Sequence, residues 1–145
     1  MLLIEEWELF MALIEWNEKY SVGVRELDNQ HKQLISILND LYEAMKEQKA
    51  NDIIGSIVFK LVNYTKTHFT TEERYMTQYS YPDLAAQKRE HAAFTEKVLK
   101  FKEDFDSGRT SISVSVTSFV KDWLVNHISG SDKKYGPFLN SKGVS

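Results

Sequence analysis

The sequence predicts an all-α protein: an antiparallel up-down-up-down four-helix bundle with an irregular N-terminal arm. Three observations carry that reading. Apolar residues recur at steps of three and four in four separate segments, the period of a helix with one buried face. No segment shows the clean alternation of a half-buried strand between turn clusters. The four segments are joined by short connections, which make consecutive helices antiparallel neighbours. A chain of 145 residues, 42% apolar and 12% aromatic, suffices for one domain with a buried core.

Residues 1–11 read as an N-terminal extension able to add a helical turn or two. Residues 1–16 (MLLIEEWELFMALIEW) carry Glu5, Glu6, Glu8 and Glu15. They are too acidic for a transmembrane helix and lack the basic start of a signal peptide, so a cytoplasmic protein without membrane insertion is expected. Residues 12–27 form the irregular arm, with Gly23 and few helix signals. The first stripe is Leu34, Ile35, Leu38, Leu41, Tyr42 and Met45, with Asp28 or Asn29 as candidate cap. The second is Ile54, Ile57, Val58, Leu61, Thr65, Phe69 and Met76, with Asn51 or Asp52 as candidate cap. The third is Leu84, Phe94, Val98, Phe101 and Phe105. Pro82 is placed as its first helical residue, and Asp106–Ser107–Gly108 stops it. The fourth is Val116, Phe119, Val120, Trp123 and Leu124, breaking near Gly130. Its β-branched run, ISVSVTSFV, weakens helix propensity, but a lone strand would have nothing to pair with. Residues 12–135 thus form the domain, and 136–145 (GPFLNSKGVS) read as a loop ending in a loose terminus.

Composition narrows the chemistry. Eighteen Lys and Arg against 21 Asp and Glu leave a net charge of −3, which gives no electrostatic case for nucleic acid. The absence of Cys excludes disulfides, thiolate metal sites and a Cys nucleophile. There is no phosphate-binding glycine loop and no supported Ser–His–Asp arrangement.

The four His residues fall in the apolar stripes. His31 lies three before Leu34. His68 and Glu72, four apart, sit between Thr65 and Met76. Gln87 and His91, four apart, join Leu84 to Phe94. His127 lies three beyond Leu124. One such His is ordinarily a hydrogen-bonded core residue. Four on four facing stripes would meet in one small volume, together with the carboxylate of Glu72. A metal would remove the cost of burying that anion. Imidazole and carboxylate without sulfur suit iron, manganese or zinc, and bundles commonly build such sites between facing helices. Asp132, five beyond His127, reads from spacing alone as an exposed helix-end residue unless a turn brings it back over the core. The set exceeds one ordinary zinc site and suits two metals. The carboxylate-rich ferritin-like design needs Glu three before His on two helices. The residues here are Asp28, Thr65, Lys88 and Leu124, so that design is disfavoured. An imidazole-rich set should favour the diferrous state and reversible oxygen chemistry.

Four blocks carry a family resemblance: WNEKYSVGVRELDNQHKQL (16–34), HFTTEERYM (68–76), YPDLAAQKREHAAF (81–94) and HISGSDKKY (127–135). In order, spacing and surrounding residues they resemble the signature blocks of the bacterial hemerythrins. Myohemerythrin is itself a standard up-down-up-down bundle, so the implied fold is not independent support for the one read from the stripes. The resemblance implies a non-haem di-iron site that binds O2 reversibly. His31 and His68 would hold the iron with the open position, and His91 and His127 the other. Glu72 and Asp132 would bridge them, with an oxo or hydroxo group. Trp123, Leu124 and Ile128 would line the pocket for O2, or are simply core. The departure is Gln87, where the family pattern has a third His on the second iron. Its amide oxygen binds the metal weakly, or a water or external ligand fills the vacancy, or the amide turns away to hydrogen-bond elsewhere. Weaker iron retention, an altered potential and faster autoxidation are expected.

Three functions follow in order. The first is O2 binding for carriage, storage or sensing, without turnover. The second is redox reactivity toward peroxide, NO or O2 at an altered second iron. The third is a metal-free interaction module, ranked last because six of seven ligand positions are kept. The expected partner is O2 or another small diatomic or anionic ligand; the oligomeric state is left open.

Overall fold

The computed structural model describes residues 15–108 and 114–145, with side chains from 117 onward in the second stretch. The expected extension 1–11, residues 12–14 of the arm and the Val116 side chain lie outside the described residues. After a 3-10 turn at Glu18–Tyr20 come helices α1 (Arg25–Lys46), α2 (Asn51–Gln78), α3 (Leu84–Asp106) and α4 (Val114–His127). A π turn, Ile128–Asp132, leads into a fifth helix, α5 (Lys133–Ser141). No strand occurs among the described residues. The β-branched start of α4 is helical from Val114 despite its weak local propensity; burial of a side-chain stripe outweighs tenths of a kcal/mol per residue.

Several boundaries differ from the sequence reading, each for a local reason. Helix α1 begins at Arg25, before either candidate cap. Asp28 lies inside its first turn and accepts from Ser21 Oγ at 2.5 Å and Val22 N at 2.8 Å, tying the arm to the helix. Helix α2 has Ala50 at its N-cap position, with no side-chain cap from Asn51 or Asp52. Pro82 lies in the turn before α3, which starts two residues later at Leu84. The fourth helix does not end at Gly130. The π turn widens it there and the chain stays helical to Ser141. The expected loop at 136–141 is therefore helix, because Tyr135, Gly136 and Leu139 are buried against the rest of the molecule.

Gly136 makes that docking possible. A Cβ at this position would lie 2.2 Å from the carbonyl oxygen of Val22, so only glycine lets α5 and the arm approach so closely. Two apolar clusters result. The larger includes Leu34, Leu38, Leu41, Leu61, Phe69, Phe94, Val120 and Leu124. The smaller gathers Val22, Val24, Leu27, Met76, Tyr81, Tyr135 and Leu139 from the arm, α1, α2, the turn before α3 and α5. In sequence, His31, Glu72, Gln87, His91 and Asp132 fall between residues of the two clusters, while His68 and His127 lie among residues of the larger one.

Candidate metal centre

All four His are buried, with His31 0%, His68 1%, His91 2% and His127 5% exposed, and Glu72 and Asp132 are 0% exposed. Helical spacing explains five of these six placements, since residues three and four apart share a face. Asp132 needs the π turn. In a regular α-helix, five residues turn the side chain about 140° away from His127. A π turn closes on the fifth residue instead, which returns Asp132 to the face of His127. Their side chains meet at 3.0 Å, His127 Nε2 to Asp132 Oδ1. The exposed helix-end reading of Asp132 is thereby corrected.

Two overlapping donor groups result. One is His31, His68, Glu72 and Asp132; the other is Glu72, His91, His127 and Asp132. In each group one nitrogen or oxygen per residue lies within 4.8 Å of all the others. Glu72 and Asp132 belong to both. Glu72 Oε1 is 3.1 Å from His68 Nε2 and 3.4 Å from His91 Nε2, while Glu72 Oε2 is 3.6 Å from His31 Nε2. Asp132 Oδ2 is 3.1 Å from His31 Nε2. His91 Nε2 and His127 Nε2 face each other at 3.1 Å.

Three of the four outer ring nitrogens are held from behind, while His31 Nδ1 is buried without a partner. His68 Nδ1 lies 2.7 Å from Gln30 Oε1, and Gln30 Nε2 donates in turn to Thr71 Oγ1 at 3.2 Å. His91 Nδ1 meets Glu73 Oε2 and His127 Nδ1 meets Glu90 Oε2, each at 2.8 Å. These oxygens only accept, so each Nδ1 carries a proton, which leaves the inward-facing Nε2 as the atom a metal would bind. Rings fix the planes: Phe69 stacks on His91 with centroids 3.8 Å apart, and Trp123 on His127 at 4.4 Å.

The donor set is under-satisfied by protein alone. His31 Nε2, Glu72 Oε1, Asp132 Oδ2 and Gln87 Oε1 are buried without an aligned hydrogen-bond partner. Leaving such groups unpaired costs about 1–3 kcal/mol each, and natural interiors rarely tolerate several together. Burial pulls the His31 pKa down, but the carboxylates of Asp132 and Glu72 outweigh it and push it up to about 9. Burial would raise Glu72, yet His68, His31 and His91 hold it well below the usual carboxylate range. Burial pushes His68 down, toward its neutral, lone-pair-bearing form. Anionic carboxylate with imidazole nitrogen fits a divalent cation such as iron or manganese.

Gln87 is 2% exposed. Its Nε2 donates to Asp132 Oδ1 at 3.1 Å. Of the three expected pocket residues, Leu124 and Ile128 line a small apolar cleft with Tyr20, Ile35, Lys121 and Val125. Trp123 is not part of that cleft; it is sandwiched between Phe94 and His127.

The sequence reading gave no role to Tyr135, Gln30, Glu73 or Glu90. Tyr135, 0% exposed, donates its hydroxyl to Glu72 Oε2 at 2.5 Å. Burial, with Asp132 and Glu72 nearby, raises its pKa well above the usual value, so it stays a donor. Tyr135 lies three residues after Asp132, a spacing that signals a shared helix face.

Residues 22–139 match the hemerythrin HHE cation binding domain family. The chain belongs to this family. Among its relatives are the bacteriohemerythrin of Stenotrophomonas maltophilia, 34% identical over 125 residues (86% of this chain, 80% of the relative), and that of Methylococcus capsulatus, 34% identical over 132 residues (90% and 100%). The crystal structure of a wild-type hemerythrin is similar with a TM-score of 0.82 at 33% identity, covering 86% of this chain and 96% of its own. That likeness bears out the four-helix bundle.

Proposed function

We propose that this hemerythrin-family chain is a non-haem di-iron protein that binds O2. The observation that carries the proposal is the pair of donor groups sharing Glu72 and Asp132. In this reading His31 and His68 would hold one iron and His91 and His127 the other, with Glu72 and Asp132 shared between the two groups. Two irons held there would supply reversible electron transfer to dioxygen. The residues around them do the rest. Tyr135 fixes Glu72 by its hydrogen bond, and Gln87 fixes Asp132. Glu73 and Glu90 hold the rings of His91 and His127 in place through their Nδ1 atoms. Leu124 and Ile128 present apolar surface that excludes water from one flank of the site. Carriage, storage and sensing all draw on this one binding event.

Iron stoichiometry, measured with absorption spectra of the oxidised, reduced and oxygenated forms, tests the proposal. Two irons per chain and a reversible spectral change with O2 are expected. Fewer than two irons, or irreversible oxidation on first exposure, would count against it. The retained donor set speaks against a metal-free interaction module. A second reading, turnover of peroxide or NO, is favoured by one feature: a cleft at Gln87, part polar and part apolar, that opens toward solvent. Saturable peroxide consumption with an added reductant would select it.

A further inference from the structure

The two donor groups are equal in composition, each with two imidazoles and the same two carboxylates. Their surroundings are not equal. The cleft lined by Leu124 and Ile128 also takes in Ile35, one turn from His31, and measures about 10 Å³ with an apolar lining. That is at the lower limit for holding even one water, and nothing polar would hold it there. The other cleft measures about 90 Å³ and is lined by Tyr81, Asp83, Ala86, Gln87, Glu90, Ser131 and Lys134. It has room for several waters and many polar partners. Gln87 forms its inner end: the amide nitrogen is engaged by Asp132, and the buried Oε1 has no hydrogen-bond partner. Asp132 Oδ1, the oxygen Gln87 contacts, is the one 3.0 Å from His127 Nε2. The unpartnered acceptor therefore stands beside the His91–His127 group.

Resting on the two-metal reading above, we infer that Gln87 and its cleft form a second ligand position, at the metal held by His91 and His127, for a water-sized uncharged hydrogen-bond donor. The chemistry selects this class. Gln87 Oε1 accepts and does not donate, so it holds a ligand that brings a proton, such as water or hydrogen peroxide. Asp83 and Glu90 outnumber Lys134 in the lining, which disfavours anions. Two imidazoles and two carboxylate oxygens leave room for further ligands on a six-coordinate cation. The cleft at Gln87 thus has room for water, which the apolar cleft by Leu124 and Ile128 lacks.

The test uses the full chain loaded with Mn(II), whose paramagnetism reports water exchanging on the metal through the proton relaxation of bulk water. Gln87→His places an imidazole where the ligand would sit, and Gln87→Leu keeps the bulk but removes the acceptor. At two manganese ions per chain, the wild type is expected to give the highest relaxivity per metal. Gln87→His should lose the fast-exchanging contribution, and Gln87→Leu should lose part of it. Equal relaxivity in wild type and Gln87→His, both holding two metals, overturns this inference and leaves the two-metal reading standing. A wild-type chain that holds fewer than two metals overturns that reading and this inference together. If Gln87→His fails to fold, equal relaxivity in wild type and Gln87→Leu overturns the inference by itself.

Discussion

Tyr135 and Gln87 each spend a hydrogen bond on a carboxylate that both donor groups share. The Tyr135 hydroxyl is fully buried and its partner oxygen has no route to water. Tyr135→Phe keeps the ring and removes the donor, so Glu72 Oε2 loses a partner at a cost of about 1–3 kcal/mol. Thermal unfolding of the metal-free protein should show the loss, and iron should leave faster to a chelator. Unchanged iron release would reduce Tyr135 to a packing residue. Gln87→His should act in the opposite direction on the metal: a third imidazole on the second group slows iron loss. Iron retained after dialysis against a chelator measures it, and equal retention would show that the amide costs the site nothing.

At the scale of elements, the π turn and the docking of α5 decide which glycines matter. Gly130 lies in the π turn, and a Cβ there would meet nothing within 4 Å. Gly130→Ala should therefore be neutral or stabilising by up to about 1 kcal/mol, the helix-propensity difference between the two residues. Gly136→Ala drives a Cβ into the Val22 carbonyl. It should cost about 1–3 kcal/mol, as overpacking of a tight contact does, and loosen the arm that Asp28 holds. Chemical denaturation of the two variants side by side separates the cases; similar midpoints would mean that the arm does not depend on α5. In α1, Leu38 is 0% exposed within the larger apolar cluster. Leu38→Ala should cost about 2–5 kcal/mol through lost transfer energy and the cavity left behind.

For the whole molecule, the buried polar cluster and the apolar clusters have different dependences on metal. The apolar clusters need no ion, so the bundle should remain folded without one. The donor set keeps unpaired buried atoms until a cation takes their lone pairs. A metal held by this set would bind the folded chain and not the unfolded one, and at one hundred times its dissociation constant a ligand adds about 2.7 kcal/mol. Chelation should lower the midpoint of thermal unfolding by several degrees while far-ultraviolet circular dichroism stays helical. A midpoint unmoved by iron would separate the cluster from stability altogether. No helix among the described residues is long and apolar enough to cross a membrane.

The helical stripes determined the four main helices, and with them the positions of His31, His68, Glu72, His91 and His127, because a period near 3.6 dictates which side chains share a face. The family blocks supplied the role of Asp132, which spacing alone left at an exposed helix end. Tertiary structure decided the rest. The π turn, stabilised by burial of Ile128 and by the contacts of Asp132 with His31, His127 and Gln87 and not announced by any local signal, returned Asp132 to the site. The docking of α5 against the arm turned an expected loop into helix, because a Gly-Pro-Phe segment that reads locally as a turn gains more from burying Tyr135 and Leu139 than from staying solvated. The orientation of Gln87 was likewise beyond the sequence. An amide can donate or accept with equal ease, and only the position of Asp132 fixed which end is hydrogen-bonded to the donor set.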